Sequence, residues 1–466
     1  MDSTRLRGVL ALTAAFAIAA CGKDSGQDGG GEEGDSSTGD SGSAATTMTT
    51  ASATTENTTD PSCIPGSEDC PCLDGVECQG TLECIEDTCK PGPTFDTNDE
   101  DRMVLGGLVV PIQVDVIADE YSWSQVSGPT TEILGEGANI QVPVPADATP
   151  GEVLTLRITA VRNTIEKTFD LSITVLEPVF EDFLVMTPPT VDELGTGSGI
   201  EFDGAGNLWI SSSEGFLSRF SVDGMFQSRY EVAGGPAGVR EGNLFLPDQD
   251  DPIDVLYIAQ TTNEAIVAYN PTNDETTTIA SELEGGGALG AVGMVLPDGN
   301  GDVYFTNPMA NQIIRYVADE GVARVLTEAV VAPTTLSFGP DANVLFVGAV
   351  GQVWRVGLLQ DGTAGEPALY ADVGDSMDPL QTVGGIAFDE GGNAWIGVPG
   401  ANSAHIAPYV AEGATTISRS FSDVGAGISS FANIRFGDGD FDDTMIYWTN
   451  GSDRTIGRIL TGLRRG

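Results

Sequence analysis

The chain has 466 residues, and its 69 acids against 20 bases give a formal net charge of -49. A surface of that sign repels phosphate, which excludes nucleic acid as a partner and basic-patch binding to anionic lipid. There is one histidine, His405, no lysine after Lys167, and all seven cysteines lie between Cys21 and Cys89. Multi-histidine metal sites, lysine Schiff bases and thiol nucleophiles are therefore excluded from the C-terminal body, which leaves carboxylates, hydroxyls and amides.

In chain order, Arg5 and Arg7 precede an apolar run from Val9 to Ala20. The run is too short to cross a bilayer and has the length of a signal-peptide core, so residues 1–20 are read as a signal peptide. Ile18-Ala19-Ala20-Cys21 resembles the bacterial lipobox. The resemblance implies that Cys21 is acylated and anchors the chain to a lipid bilayer, each buried CH2 contributing about 0.8 kcal/mol. Gly22, rather than Asp, after the cysteine implies sorting to the outer membrane and hence a cell-envelope address. The competing reading is an ordinary cleaved signal peptide with an incidental cysteine. Residues 21–60, rich in Gly, Ser, Thr, Ala and acid, bury too little surface to order and are expected to act as a flexible tether.

Cys63, Cys70, Cys72, Cys78, Cys84 and Cys89 fall within residues 61–92. Behind an export signal they read as three disulfides whose pairing the spacing leaves open. A zinc site is the competing reading, disfavoured by an oxidising compartment and the lack of histidine. Cys70-Pro71-Cys72 followed by Gly80-Thr81-Leu82-Glu83-Cys84 and Cys89 resembles the small cysteine-rich modules of secreted myxobacterial lipoproteins, which implies a rigid spacer.

Residues 93–178 alternate as strands over 104–110, 140–144, 153–161 and 167–175. Tyr121-Ser122-Trp123-Ser124-Gln125-Val126-Ser127-Gly128-Pro129 resembles the third-strand signature of PKD-like domains. That implies an immunoglobulin/PKD-like β-sandwich with Trp123 as core aromatic, a carbohydrate-binding Trp123 being the alternative.

Residues 179–466 repeat. Gly199-Ile200-Glu201-Phe202-Asp203-Gly204-Ala205-Gly206-Asn207-Leu208-Trp209-Ile210 recurs from Gly385 to Ile396 with eight of twelve positions identical. The same strand–turn–strand pattern recurs around Tyr257, Tyr304, Phe346 and Tyr447, at spacings of 42 to 52 residues. Periods of that size signify four-stranded propeller blades, and six fit. The fold expected is all-β: a six-bladed β-propeller preceded by the sandwich and the disulfide-rich module. The last repeat stops one strand short after Leu460, and Phe183-Leu184-Val185-Met186 is expected to supply the missing outer strand.

The repeats resemble the six-bladed SMP-30/gluconolactonase, NHL-repeat and streptogramin-lyase propellers. In the lactonases the resemblance implies an axial divalent metal held by Glu, Asn and Asp. Those positions fall here on Ser198, Val292 and Gly384, so all three ligands are missing. The lyases use facial histidines, and His405, in a third strand without a second histidine, reads as structural. Asp438, Asp440 and Asp442 have the alternate spacing of a calcium loop. Asp248, Asp250, Asp251 and Asp254 form a similar group, and Asp298, Asn300 and Asp302 a weaker one. The competing reading of each is a solvated Asp/Gly turn, since no bidentate Glu follows. Two functions are carried forward. One is a non-catalytic envelope lipoprotein whose propeller binds a protein or small-molecule ligand; the other is a lactonase-like or lyase-like enzyme with a rearranged carboxylate site.

Overall fold

The computed structural model describes residues 68–73, 77–96, 101–183, 197–244, 253–374, 381–422, 431–450 and 455–466. The expected signal peptide, the tether, Cys21 and Cys63 lie outside the described residues. The cysteine module is a hairpin of Leu82–Ile85 and Thr88–Pro91. Cys72–Cys84 and Cys78–Cys89 bridge it, and Cys70 is also disulfide-bonded.

The sandwich that follows has a four-stranded sheet ordered Arg102–Leu105, Ile165–Leu176, Val153–Arg162, Glu120–Ser127. Two strand pairs complete it: Val109–Gln113 with Asn139–Pro143, and Thr94–Asp96 with Asp115–Ile117. The apolar run at 104–110 forms two strands rather than one. Gly107 breaks it with a φ of +93°, and residues on either side pair in different sheets. Within Val153–Arg162 the buried side chains alternate, which puts Leu154, Leu156 and Ile158 in the core. Trp123 is half-buried, packs against that core and donates its indole N–H to the Gly137 carbonyl at 3.0 Å. It is a packing residue with a satisfied polar end.

Six sheets among the described residues form the propeller, five of four antiparallel strands and one, that of blade 3, whose four antiparallel strands are extended to six by Glu282–Leu283 and Gly287–Ala288. From inner to outer strand, blade 1 is Gly197–Phe202, Leu208–Ser212, Phe216–Phe220 and Phe226–Glu231. Blade 2 is Pro236–Leu244, Ile253–Gln260, Ala265–Asn270 and Glu275–Ala280. Blade 3 is Val295–Pro297, Val303–Asn307, Gln312–Val317 and Val322–Thr327. Blade 4 is Thr335–Phe338, Val344–Gly348, Gln352–Gly357 and Ala368–Asp372. Blade 5 is Gly385–Phe388, Ala394–Val398, Ser403–Ala407 and Arg419–Ser422. Blade 6 takes Ala432–Phe436, Met445–Asn450 and Thr455–Leu460 from the last repeat and its outer strand, Phe180–Asp182, from the sandwich linker.

The recurrent aromatics Trp209, Tyr257, Tyr304, Phe346, Trp395 and Tyr447 all sit on second strands and are buried. Most reach a neighbouring blade: Trp209 meets Tyr269, Tyr304 meets Phe338, Phe346 meets Phe388 and Tyr447 meets Phe202. Edge-to-face and tilted contacts of this kind hold the blades together beyond the area they bury.

Ring closure differs in register from the expected one. Phe180 pairs with Ile459, Glu181 with Arg458 and Asp182 with Gly457, so the closing strand starts three residues earlier than Phe183. Phe183 adds one hydrogen bond from its N–H to the Ile456 carbonyl, at 2.7 Å, while Leu184 to Met186 lie outside the described residues. The cause is aromatic. Phe180 inserts among Phe421, Phe431 and Trp448, and Phe183 against Phe441 and Tyr447, which fixes where the linker can pair.

Sandwich and propeller share one hydrophobic cluster, in which Val110, Ile140, Leu156 and Val175 continue into Trp395, Phe421, Phe431, Trp448 and Leu463. Asn393 of blade 5 ties the two together, accepting the Val109 N–H at 2.8 Å and donating to the Val109 carbonyl at 2.9 Å. The segment Thr461–Gly466 runs through this junction. The Leu105 N–H donates to the Thr461 carbonyl, the Glu390 N–H to that of Arg464, and the Gly466 N–H to that of Phe388.

Candidate functional site

The turn between the first two strands of a blade is organised by an Asp at the end of the inner strand. In blade 1 the Asp203 carboxylate accepts the Asn207 N–H (2.8 Å), the Asn207 amide (2.9 Å) and the Trp209 indole N–H (2.6 Å). In blade 5 Asp389 repeats this with Asn393 (2.9 and 2.8 Å) and Trp395 (3.2 Å). The Asp-x-x-x-Asn-x-Trp recurrence is thus a turn-closing device.

On the side of these turns the axis holds an ion triad. Glu201 (blade 1) accepts from Arg240 (blade 2) at 3.2 Å and pairs with Arg435 (blade 6), and all three residues are at most 5% exposed. Burial, then repulsion from Arg435, pulls the Arg240 guanidinium well below its ordinary pKa. Segment 461–466 covers this end of the axis toward blade 5, where Arg465 pairs with Asp438.

The turns of the remaining blades leave a cleft of about 920 Å³. Glu241 and Asp254 line it from blade 2, Asp298, Asn300, Tyr304 and Arg315 from blade 3, and Phe338, Asn343 and Leu359 from blade 4. Gly204 and Asp438 complete it from blades 1 and 6. Glu241 accepts the Gly204 N–H with one oxygen at 2.9 Å. Burial, helped by the charges of Glu201, Asp203 and Asp438, pushes its carboxyl up to about 7. Asp298 accepts the N–H groups of Asn300 (2.8 Å) and Asp302 (3.0 Å) on one oxygen, and burial raises its pKa too. Arg315 is occupied by Asp302 at 2.7 Å and by the Gly362 carbonyl at 3.1 Å.

The other candidates are placed as follows. Val292 is fully buried in the core between blades 2 and 3, and Gly384 donates its N–H to the Gly397 carbonyl at 2.8 Å; Ser198 is on the inner strand of blade 1. An isopropyl group and a glycine offer a metal no side-chain donor, so the residues at the lactonase ligand positions do not fit a divalent ion. Asp438, Asp440 and Asp442 share the blade 6 turn, yet each has its own engagement. Asp438 pairs with Arg465, Asp442 accepts the Thr444 N–H and hydroxyl at 2.9 and 2.6 Å, and Asp440 lies against Gly206 of blade 1. Among the described residues the one His/Cys/Asp/Glu trio with donor atoms within 4.8 Å of one another is Cys72, Cys78 and Cys89, whose sulfurs are in disulfides. Asp248, Asp250 and Asp251 lie outside the described residues, and Asp254 is on the second strand of blade 2. His405 sits on the third strand of blade 5 between the Ser403 and Ser420 hydroxyls at 3.0 and 2.8 Å, and burial lowers its pKa.

Sequence reasoning missed Glu201, Arg240, Glu241, Arg435 and Tyr304 as a group. A signal existed: Arg240-Glu241 puts two charges in an inner strand whose counterparts read Gly-Ile-Ala-Phe and Thr-Leu-Ser-Phe.

No protein-family profile and no curated protein matches the chain. Its structural neighbours are β-propellers. One, named as a gluconolactonase candidate, has 17% identity, covers 62% of this chain and 94% of its own, and has a TM-score of 0.48. A streptogramin B lyase has 15% identity, 60% and 97% coverage and a TM-score of 0.41. An auxiliary nutrient binding protein from Bacteroides thetaiotaomicron has 12% identity, 78% and 98% coverage and a TM-score of 0.45. The assignment of six blades rests on the strand pairing of this chain itself.

Proposed function

We propose that this chain is a cell-envelope lipoprotein, anchored through Cys21, whose propeller binds a small polar ligand in the cleft between the blade turns. The observation that carries the reading is the cleft itself. It is about 920 Å³, within the range of small-molecule sites, and combines apolar walls with a few convergent polar groups. The anchor rests on Ile18-Ala19-Ala20-Cys21 and on the tether behind it.

A thermal-shift panel of sugars, amines, amino acids and carboxylic acids on the full-length protein tests the binding role. A saturable rise in Tm that is lost when Leu359→Arg fills the cleft mouth supports it, and no stabilising compound in any class refutes it. Palmitate labelling that persists in Cys21→Ser refutes the anchor.

One observation favours a second reading, a hydrolase. Glu241 lines the cleft and burial pushes its carboxyl up to about 7, the range in which a carboxyl serves as general acid or base near neutral pH. Turnover of a lactone or ester panel, with and without divalent metals and EDTA, that disappears in Glu241→Gln would put this reading first.

A further inference from the structure

The turns of blades 1 and 5 share the Asp–Asn–Trp set but are covered differently. In blade 1 side chains cover the turn: Glu241 takes the Gly204 N–H at 2.9 Å, and Asp440 lies against Gly206. In blade 5 main chain covers it. The Glu390 N–H donates to the Arg464 carbonyl at 2.8 Å, and Asn393 grips both the N–H and the carbonyl of Val109. One methyl group separates the two cases. A Cβ added at Gly391 would stand 2.0 Å from the Val109 carbonyl oxygen, and blade 1 has Ala205 at that place. Blade 5 can therefore seat a strand that blade 1 would reject. A second glycine admits segment 461–466. Gly462 has a φ of +81°, and a Cβ there would lie 1.7 Å from the Met103 carbonyl oxygen.

That segment joins the sandwich to two blades. The Thr461 carbonyl holds the Leu105 N–H of the sandwich at 3.1 Å, the Gly466 N–H reaches Phe388 of blade 5 at 3.1 Å, and the Arg465 N–H reaches Asp443 of blade 6 at 3.2 Å. Arg102 of the sandwich donates to Glu390 in the blade 5 turn at 2.9 Å. Over the axis, Arg465 and Gly466 sit against Phe338, Ala387, Phe388 and Arg435 and leave about 10 Å³ empty, room for no more than one water. Phe338 also lines the cleft, so the segment stops the part of the axial mouth beside it.

We propose that the blade 5 turn, the strand Val109–Gln113 and segment 461–466 form one latch across the axial mouth, so that the mouth opens when the sandwich lifts off. The segment is bonded to Leu105 on one side and to Glu390 on the other, so a departing sandwich removes its support. The sandwich is then the handle by which the mouth is opened. A partner that binds the lifted sandwich more tightly than the docked one would drive the opening, by that difference in affinity and no more. The latch does not depend on what the cleft binds.

The test is hydrogen exchange of the full-length protein, joined to iodoacetamide labelling of an Ala387→Cys variant, whose introduced thiol lines the void under the segment. In the unaltered protein the amides of Leu105, Val109, Glu390 and Gly466 should share one protection, lower than that of the second strands of blades 2 to 4, as a single sub-global opening requires. Gly391→Ala and Gly462→Ala should each raise exchange at these amides, and the labelling rate, by at least about tenfold, the scale of a local backbone strain. Ala205→Gly in blade 1 should change neither. Unchanged exchange in the second strands of blades 2 to 4 shows that the ring itself stays folded. If Gly391→Ala loosens Val109 while Glu390, Gly466 and the thiol stay protected, the parts open separately and the latch is overturned. It is overturned as well if neither glycine variant responds. The unaltered protein decides the matter where a variant fails to fold: latch amides that exchange only by global unfolding would make the junction plain core.

Discussion

Glu201 stands between two arginines that solvent does not reach. Removing its charge leaves the Arg240 and Arg435 guanidinium groups facing each other in the core. Glu201→Gln is therefore expected to lower unfolding free energy by about 3–5 kcal/mol, the usual cost of breaking a buried ion pair from one side. Urea denaturation reads it directly, and an unmoved midpoint would contradict the role given to the triad. Glu241 and Asp389 act on stability through pH. Burial raises both carboxyls to about 7. A raised carboxyl contributes stability that is fully present below its unfolded pKa, near 4, and is lost as pH rises through 7. The Tm of the ligand-free protein should fall across that window. Glu241→Gln should flatten the fall in part and leave the share due to Asp389. These residues were hard to read from the sequence because the partners of Glu201 lie 39 and 234 positions away, on strands that only ring closure brings together.

A blade is legible because its evidence is local. The Asp–Asn–Trp set of blades 1 and 5 lies within seven consecutive residues, so the turn repeats visibly in the chain. The closing strand is not legible in the same way. Its register depends on Phe180 finding Phe421, Phe431 and Trp448, and the alternation of residues 180–186 alone fits two placements. Phe180→Ala should cost about 2–3 kcal/mol, below the range for a fully buried Phe because this ring is only half-buried. It should also raise hydrogen exchange in Thr455–Leu460 more than in the inner strands. Exchange that rises evenly over all six blades would count against a closing role for this strand.

At the scale of the molecule, one core runs from the sandwich into blades 5 and 6, and Asn393 fastens the two through the Val109 backbone. Calorimetry should therefore give one transition for sandwich and propeller together. Two resolved peaks would mean that the shared cluster couples them weakly. Stability should also rise with salt, since screening relieves self-repulsion in a chain of net charge -49. A melting temperature indifferent to ionic strength would show that self-repulsion does not limit stability.

The ring is fastened by strands whose side chains Glu181 and Arg458 are 277 positions apart. During synthesis the sandwich strands and Phe180–Asp182 emerge before the propeller, and the partner strand Thr455–Leu460 follows only after the first five blades. Until then blade 6 cannot form, and blade 1 has no neighbour on one side. Every half-made copy thus presents open strand edges and uncovered aromatics, the surfaces through which nascent chains stick to one another. Long-range closure of this kind is slow, so the exposure lasts. Dense negative charge makes such copies repel one another, so the net charge of -49 opposes their association while the ring is still open.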